Sequence, residues 1–268
     1  MLQRGEPLDG DSRRGGISSL ATALDLLDCL AAEPELGVTD LSRRLGIAKS
    51  SVHRILKTLC SKGYVQQVQE TKCYRLGIRL HELGEVVASR SQLRGLALPL
   101  LESLRAQTGE TVHLAVPEAG QMFYVERLES YQGLRFSARV ARVRPIHLTS
   151  SGKAVAAFNP AVAEAAIAQG FERRTPRTIR TAEQFLRCLA ETRKRGFAYS
   201  IEEDEPGLAS VAAPVLDRDR IARAAISVAG PVARVSGEHT AQMGRRVLTS
   251  ASQLTSLEAL WWSASGYR

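Results

Sequence analysis

The chain reads as an α+β protein in two parts, a winged helix-turn-helix followed, beyond a linker helix, by an α/β domain on a mainly antiparallel sheet. Three observations predict this. Between Val38 and Lys62 two short amphipathic segments flank a glycine turn, and after Gly63 the hydrophobic period changes from helical to two. Nine Lys/Arg against two acids fall between Thr39 and Arg79, seven of the formal +8 of the whole chain. From Glu110 onward short apolar runs alternate with helical segments, without the Gly-rich turn that a dinucleotide fold places after its first strand.

Ile17 to Ala32 opens the ordered chain as a helix, with Leu20, Leu24, Leu27 and Ala31 at helical spacing and Ala23 and Leu30 beside them. Thr39 stands as N-cap of a second helix that Gly46 ends, and a third runs from about Ala48 to Lys62. Tyr64–Val68 and Lys72–Leu76 then read as two strands around Gln69-Glu70-Thr71, the wing.

At 100° per residue, Val52, Ile55, Leu56 and Leu59 share one side of the third helix. Ser50, Arg54, Lys57 and Ser61 lie opposite, with Lys49 and His53 on the flank. Arg can give two donors to guanine, Ser can bond phosphate or base, and Lys neutralises the backbone. Lys49, Ser50, Ser51 and Arg54, near the helix start, are therefore the first candidates for reading bases, with His53 and Lys57 beside them. Arg43, Lys72 and Arg75 supply further positive charge. A solvated helix face explains most basic runs, but here it would also have to explain the preceding helix, the hairpin and the local charge.

Ile78 to about Thr108 reads as helical, interrupted around Gly95 and Pro99. Strands are expected at Thr111–Val116, Met122–Glu126, Leu134–Ala138, Ala198–Ile201, Leu208–Leu216 and Ile221–Val228, and helices at Ser151–Phe158, Ala161–Gln169, Ala182–Arg195 and Glu238–Trp262. The expected organisation is a disordered tail over 1–16, the winged domain over 17–77, a linker helix over 78–95 and a ligand-binding domain over 96–268. Exposed apolar positions on the linker predict dimerisation through it.

Ser150-Ser151-Gly152-Lys153 supports no enzyme reading. A phosphate loop would need Gly where His147 stands and Ser/Thr where Ala154 stands. The S-x-x-K of penicillin-recognising hydrolases would need S-D-N and K-T-G, both absent. What remains is a turn into a helix N-terminus, which favours an anion or a carbonyl. Ser200, Ser210 and Ser227 are hydroxyls in apolar strands, suited to a cavity or to bonding within their own sheet. Glu202-Glu203-Asp204-Glu205 reads as a solvated loop or helix cap rather than a metal site. The four cysteines fall in no metal or disulfide spacing. No cofactor or metal is expected, and without a signal peptide or an apolar run of about 18 residues the expected location is cytoplasmic.

Taken together, the chain resembles the IclR family of bacterial transcriptional regulators from about Ser19 to the last helix. The matching stretches are Asp40–Gly46, Lys49–Leu56, Gly63–Val65, Tyr74–Gly77, Thr108–Leu114, Ser151–Ala154, Glu202-Glu203 and Gly207–Pro214, specific in their order and spacing. The resemblance implies a C-terminal GAF-like effector domain, dimers often paired into tetramers, and palindromic or repeated operators on double-stranded DNA. It implies small organic acids or aromatic catabolites as effectors, and repression more often than activation. The family's pocket maps onto Ser150, Ser151, Leu208, Ser210 and Ser227. Gly152 of the turn and Ser200 complete the candidate set, with the ligand carboxylate expected on the turn at Ser150–Gly152. Many members carry aspartate where this chain has Ser200 and cysteine where it has Ser210. The Gly-Leu-Ala-Ser-Val-Ala-Ala-Pro form is closer to members that sense aromatic acids. The competing readings are an enzyme that uses the basic segment to bind a nucleotide or polyanion, and a non-specific nucleic-acid-binding protein.

Overall fold

The structure, a computed structural model, describes residues 18–90, 92–131 and 143–265. The expected tail over 1–16 and strand Leu134–Ala138 lie outside them. Contacts divide the chain into two units, residues 1–90 and 91–268.

In the first unit, α1 (Ser18–Ala32), α2 (Val38–Leu45) and α3 (Lys49–Ser61) precede a hairpin of β1 (Val65–Gln67) and β2 (Tyr74–Leu76), and α4 (Ile78–Arg90) follows. Leu26, Leu30, Leu41, Val52, Leu56, Val65 and Tyr74 form its core. Two local expectations need correction. Gly37, not Thr39, precedes α2 as its cap, its carbonyl accepting from the N–H groups of Asp40 and Leu41. On α1 the buried face carries Leu26 and Leu30, whereas Leu20 and Leu24 are more than half exposed. A leucine-rich helix offers more than one apolar face, and only the side towards α2 and β2 is covered. Gly46 ends α2 in the left-handed conformation, as its position predicts. Gly77 serves a different need: a Cβ there would lie 2.1 Å from the Gly63 carbonyl oxygen, where the end of β2 passes the start of β1.

The second unit begins with α5 (Gln92–Thr108), which runs through Gly95 and Pro99 without the expected interruption. Burial of Ala97, Leu101 and Leu104 outweighs the one backbone bond a proline removes. A six-stranded sheet follows in the order β5-β4-β3-β8-β7-β6, with every described pairing antiparallel. Its strands are β3 (Thr111–Glu118), β4 (Gln121–Leu128), β5 (Val143–Pro145), β6 (Ala198–Ile201), β7 (Leu208–Leu216) and β8 (Ala222–Pro231). Helices α6 (Ser150–Ala157), α7 (Pro160–Gln169), α8 (Ala182–Arg195), α9 (Val232–Val235) and α10 (His239–Ser265) complete it. Three short elements, β5, a 3-10 turn over Ile146–Leu148 and α9, are not signalled by periodicity.

The period of two along each strand divides the sheet. Val112, Leu114, Val211, Ala213, Ile226 and Val228 point to a core shared with α5 and α10. Ala115, Ala198, Ala212 and Ala225 point the other way, to a second core under α6 and α8. That second face continues past the alanines into polar side chains, and there the sheet leaves a cavity.

Candidate functional site

On α3 the apolar side is seated in the core, Val52 and Leu56 fully and Ile55 and Leu59 partly. Lys49, Ser50, Ser51, His53, Arg54 and Lys57 are all exposed. Ala48 precedes the helix without a side-chain cap, so its first N–H groups have no side-chain acceptor. Lys49, Arg54 and Lys57 make no side-chain hydrogen bond or ion pair among the described residues. The flanking cations are partly engaged: Arg43 with Asp40 at 2.7 Å, Lys72 with Gln69 at 3.3 Å, and Arg75 with Gln66 at 3.2 Å. Between α3 and the hairpin an open groove is lined by His53, Arg54 and Lys57 on one side and Gln66, Gln67 and Gln69 on the other. Such a surface offers cationic and amide donors with little internal competition.

In the second unit a cavity of about 290 Å³ lies on the polar continuation of the α6 face. Strand register assembles its wall in two rows. One runs Arg127, His113, Ser227 across β4, β3 and β8. The other runs Thr111, Ala229, Ser210, Ser200 across β3, β8, β7 and β6. A register shift between Leu114 and Ala115 lets Tyr124 oppose Ala115, so Tyr124 joins the cavity face while Val125 packs into the opposite core.

Of the expected effector residues, Ser200, Leu208, Ser210 and Ser227 line this cavity. Ser150, Ser151 and Gly152 do not. Ser150 reaches it indirectly, donating from Oγ to Ser210 Oγ at 2.8 Å. Ser151 Oγ is buried without a hydrogen-bond partner, near the Tyr124 hydroxyl. The Gly152 N–H is already bonded to the capping Thr149 Oγ1 at 3.0 Å. A Cβ on Gly152 would lie 2.2 Å from the Ile146 carbonyl oxygen, so this glycine serves close packing. Ser200 Oγ donates to the Leu148 carbonyl, leaving its oxygen as an acceptor.

Periodicity gave no sign of the charged wall. Arg127, Arg144, Glu110, Glu129, Asp204 and Glu205 all line the cavity, with His113, Tyr124 and Thr149. Only an uneven scatter of polar residues on strand faces could have signalled them. Most of these charges are paired: Glu110 with Arg234, Asp204 with Arg144 at 3.4 Å, and Glu129 with Arg127 at 3.7 Å. Burial, with Arg127 beside it, holds the His113 imidazole down at about 3, so the ring is neutral at ordinary pH. Burial pushes the Tyr124 hydroxyl up to about 12, against smaller opposing pulls from Ser151 and Arg144.

The acidic run at Glu202–Glu205 is not the solvated loop that its composition predicts. Glu203 holds Lys153 of α6, which is fully buried, through both oxygens at 2.6 and 2.7 Å. Glu202 binds the Gly207 N–H, and the backbone carbonyls of Glu202 and Glu203 accept from Thr175 and Thr178. The run ties α6 to the edge of the cavity. Among the described residues, no group of His, Cys, Asp and Glu could hold a metal, and no helix is long and apolar enough to cross a membrane.

The arrangement matches known proteins along both units. The family model for the IclR helix-turn-helix domain matches residues 19–69, and that for the bacterial transcriptional regulator IclR C-terminal region matches residues 85–256. The transcriptional regulator KdgR of Escherichia coli is 32% identical over 249 residues, covering 92% of this chain and 95% of that protein. A glycerol operon regulatory protein of Streptomyces griseus is 37% identical over 221 residues, covering 82% and 87%. Among solved structures, an IclR regulator of Alicyclobacillus acidocaldarius superimposes with a TM-score of 0.79 at 25% identity, covering 90% and 98%. An IclR homologue of Microbacterium hydrocarbonoxydans, complexed with 4-hydroxybenzoate, does so at 0.74 and 26%, covering 89% and 98%. The chain therefore belongs to the IclR family of transcriptional regulators, a ligand-responsive DNA-binding protein with its helix-turn-helix first and its regulatory domain second.

Proposed function

We propose that this protein is a cytoplasmic repressor whose affinity for a palindromic or repeated operator changes when a small organic acid occupies the cavity of its second unit. The outward face of α3 carries the reading: Lys49, Ser50, Ser51, Arg54 and Lys57 are exposed over a fully apolar anchor. Arg54 and the residues of the first turn read bases, while Lys57, Arg43, Lys72 and Arg75 hold phosphates. Dimerisation is supported by apolar side chains left exposed on the first unit, Leu20 and Leu24 of α1 with Ile78, Leu83 and Val86 of α4. Ligand control requires that the acid bind the operator-competent and operator-incompetent states with different affinity. The 4-hydroxybenzoate complex of the Microbacterium homologue supports an acid as the class of effector.

Binding of the purified protein to DNA from upstream of its own gene, against scrambled competitor at several salt concentrations, tests this. Specific fragments should compete on the order of 10³-fold better than scrambled DNA. Equal competition, falling identically with salt, would reduce the basic face to a polyanion surface and overturn the reading.

A further inference from the structure

We propose that the Arg144–Asp204 ion pair is a latch that holds the two edges of the sheet together over the cavity, and that its opening sets how fast an effector enters and leaves. This rests on reading the cavity as the effector site. Strands β5 and β6 lie at opposite edges of the six-stranded sheet, and neither pairs with the other. Yet Arg144 Nε of β5 stands 3.4 Å from Oδ2 of Asp204, three residues beyond the end of β6. The twist of the sheet curls its edges towards each other, and the stretch that follows β5 closes the gap. Three further bonds come in order along that stretch. The Leu148 carbonyl accepts from Ser200 Oγ at 2.8 Å, Ser150 Oγ donates to Ser210 Oγ at 2.8 Å, and Lys153 Nζ donates to both oxygens of Glu203. No strand pairing joins the two edges, and each of these four contacts uses a side chain.

The four contacts are unequal. Lys153 is fully buried, its bonds to Glu203 are 2.6 and 2.7 Å long, and neither residue lines the cavity. A buried pair of this kind is expensive to break on one side. Thr175 and Thr178 hold the same place from outside, donating to the carbonyls of Glu202 and Glu203. Arg144 and Asp204 do line the cavity, and they meet only at 3.4 Å, with 18% and 12% of their side-chain surface open to solvent. Their contact is the longest of the four and the one with water on both partners. The turn that carries Asp204 is also strained. Glu202 takes a φ of 54°, a left-handed conformation that its β-carbon disfavours, and the Gly207 N–H bond to its carboxylate at 2.9 Å keeps it there. Adjacent residues of one turn thus have opposite duties, Glu203 fixed to α6 and Asp204 releasable at the cavity. Rupture of the Arg144 contact widens the cavity while α6 stays anchored.

Thiol labelling of the full-length protein reads the latch without the effector being known. Ser227→Cys places a thiol on the cavity wall at a position only 2% exposed. Benzyl methanethiosulfonate is the probe, and peptide mass spectrometry follows each cysteine separately. Cys188 of α8, half-buried and outside the cavity lining, reports loosening of the whole unit. Added to Ser227→Cys, Asp204→Ala should speed labelling of the introduced thiol by about fivefold or more, with Cys188 unchanged. The charge swap, Arg144→Asp with Asp204→Arg, should bring the rate back to within about twofold of its starting value. An unchanged rate in Asp204→Ala overturns the proposal, as does a starting rate equal to that of the urea-unfolded chain, which would mean a cavity with no closed state. Loss of folding in Asp204→Ala, or equal acceleration at Cys188, makes the pair a structural support and not a latch. Failure of the swap to restore the rate assigns the effect to packing rather than charge, and either result also overturns the proposal. The effector-site reading falls separately: benzyl-labelled protein that binds its upstream DNA as tightly as unlabelled protein would remove the cavity from control of the operator, whatever the labelling rates.

Discussion

The two units treat charge in opposite ways. In the first, the cations of α3 stand on an exposed face and make no side-chain bonds among the described residues. In the second, ionisable groups are drawn inward and paired, as with Lys153 and Glu203 or Glu110 and Arg234. An exposed cation with no internal partner contributes almost nothing to stability and keeps its whole interaction for an external anion. A buried pair contributes little net stability but is expensive to break on one side. Mutating the exposed cations of α3 should therefore affect binding, and breaking the buried pairs of the second unit should affect folding.

The largest contrast is expected at Lys153. Lys153→Met leaves Glu203 without its partner at the edge of the cavity and should destabilise the second unit by about 3–5 kcal/mol, measured by urea melts of the full chain. A change below about 0.5 kcal/mol would mean that the pair is not buried as described. Next comes His113. Its folded pKa, about 3, lies below the ordinary 6.5, so the unfolded chain binds the extra proton first as pH falls. Stability present above pH 6.5 should then be lost progressively towards pH 3, by about 2 kcal/mol between pH 7.5 and 5. His147, also lowered by burial, adds to the same slope. His113→Phe should flatten the slope, and an unchanged pH profile would remove His113 from the account.

On the first unit the expected readout is DNA affinity with an unchanged melting curve. Arg54→Ala should weaken specific operator binding by about 1–3 kcal/mol and relax base preference at one position. Lys57→Ala should weaken specific and scrambled DNA alike and lower the salt slope by about one. If Arg54→Ala instead unfolds the unit, or Lys57→Ala alters base preference, the separation of roles on α3 is wrong.

Much of this was legible in the sequence, for a physical reason. Helical and strand periods are local, so β6, β7 and α8 fall where the pattern of apolar residues puts them, and the outward cations of α3 follow from 100° per residue. Glycines at Gly46 and Gly63 mark turns because few other residues adopt those angles. Less legible was which of two apolar faces of α1 would be covered, or that Glu203 of the acidic run would be satisfied by a lysine fifty residues earlier.

The sequence by itself determined the class of fold, the order of its elements and the basic face of the third helix, because each depends on spacing within a few residues. Tertiary structure decided the contents of the cavity. Arg127, His113 and Ser227 are scattered over a hundred residues, and only antiparallel register across β4, β3 and β8 sets them side by side. A single bulge in β3–β4 pairing brings Tyr124, and not Val125, to that wall. Register is fixed by which faces the helices cover, and no window of sequence contains that information.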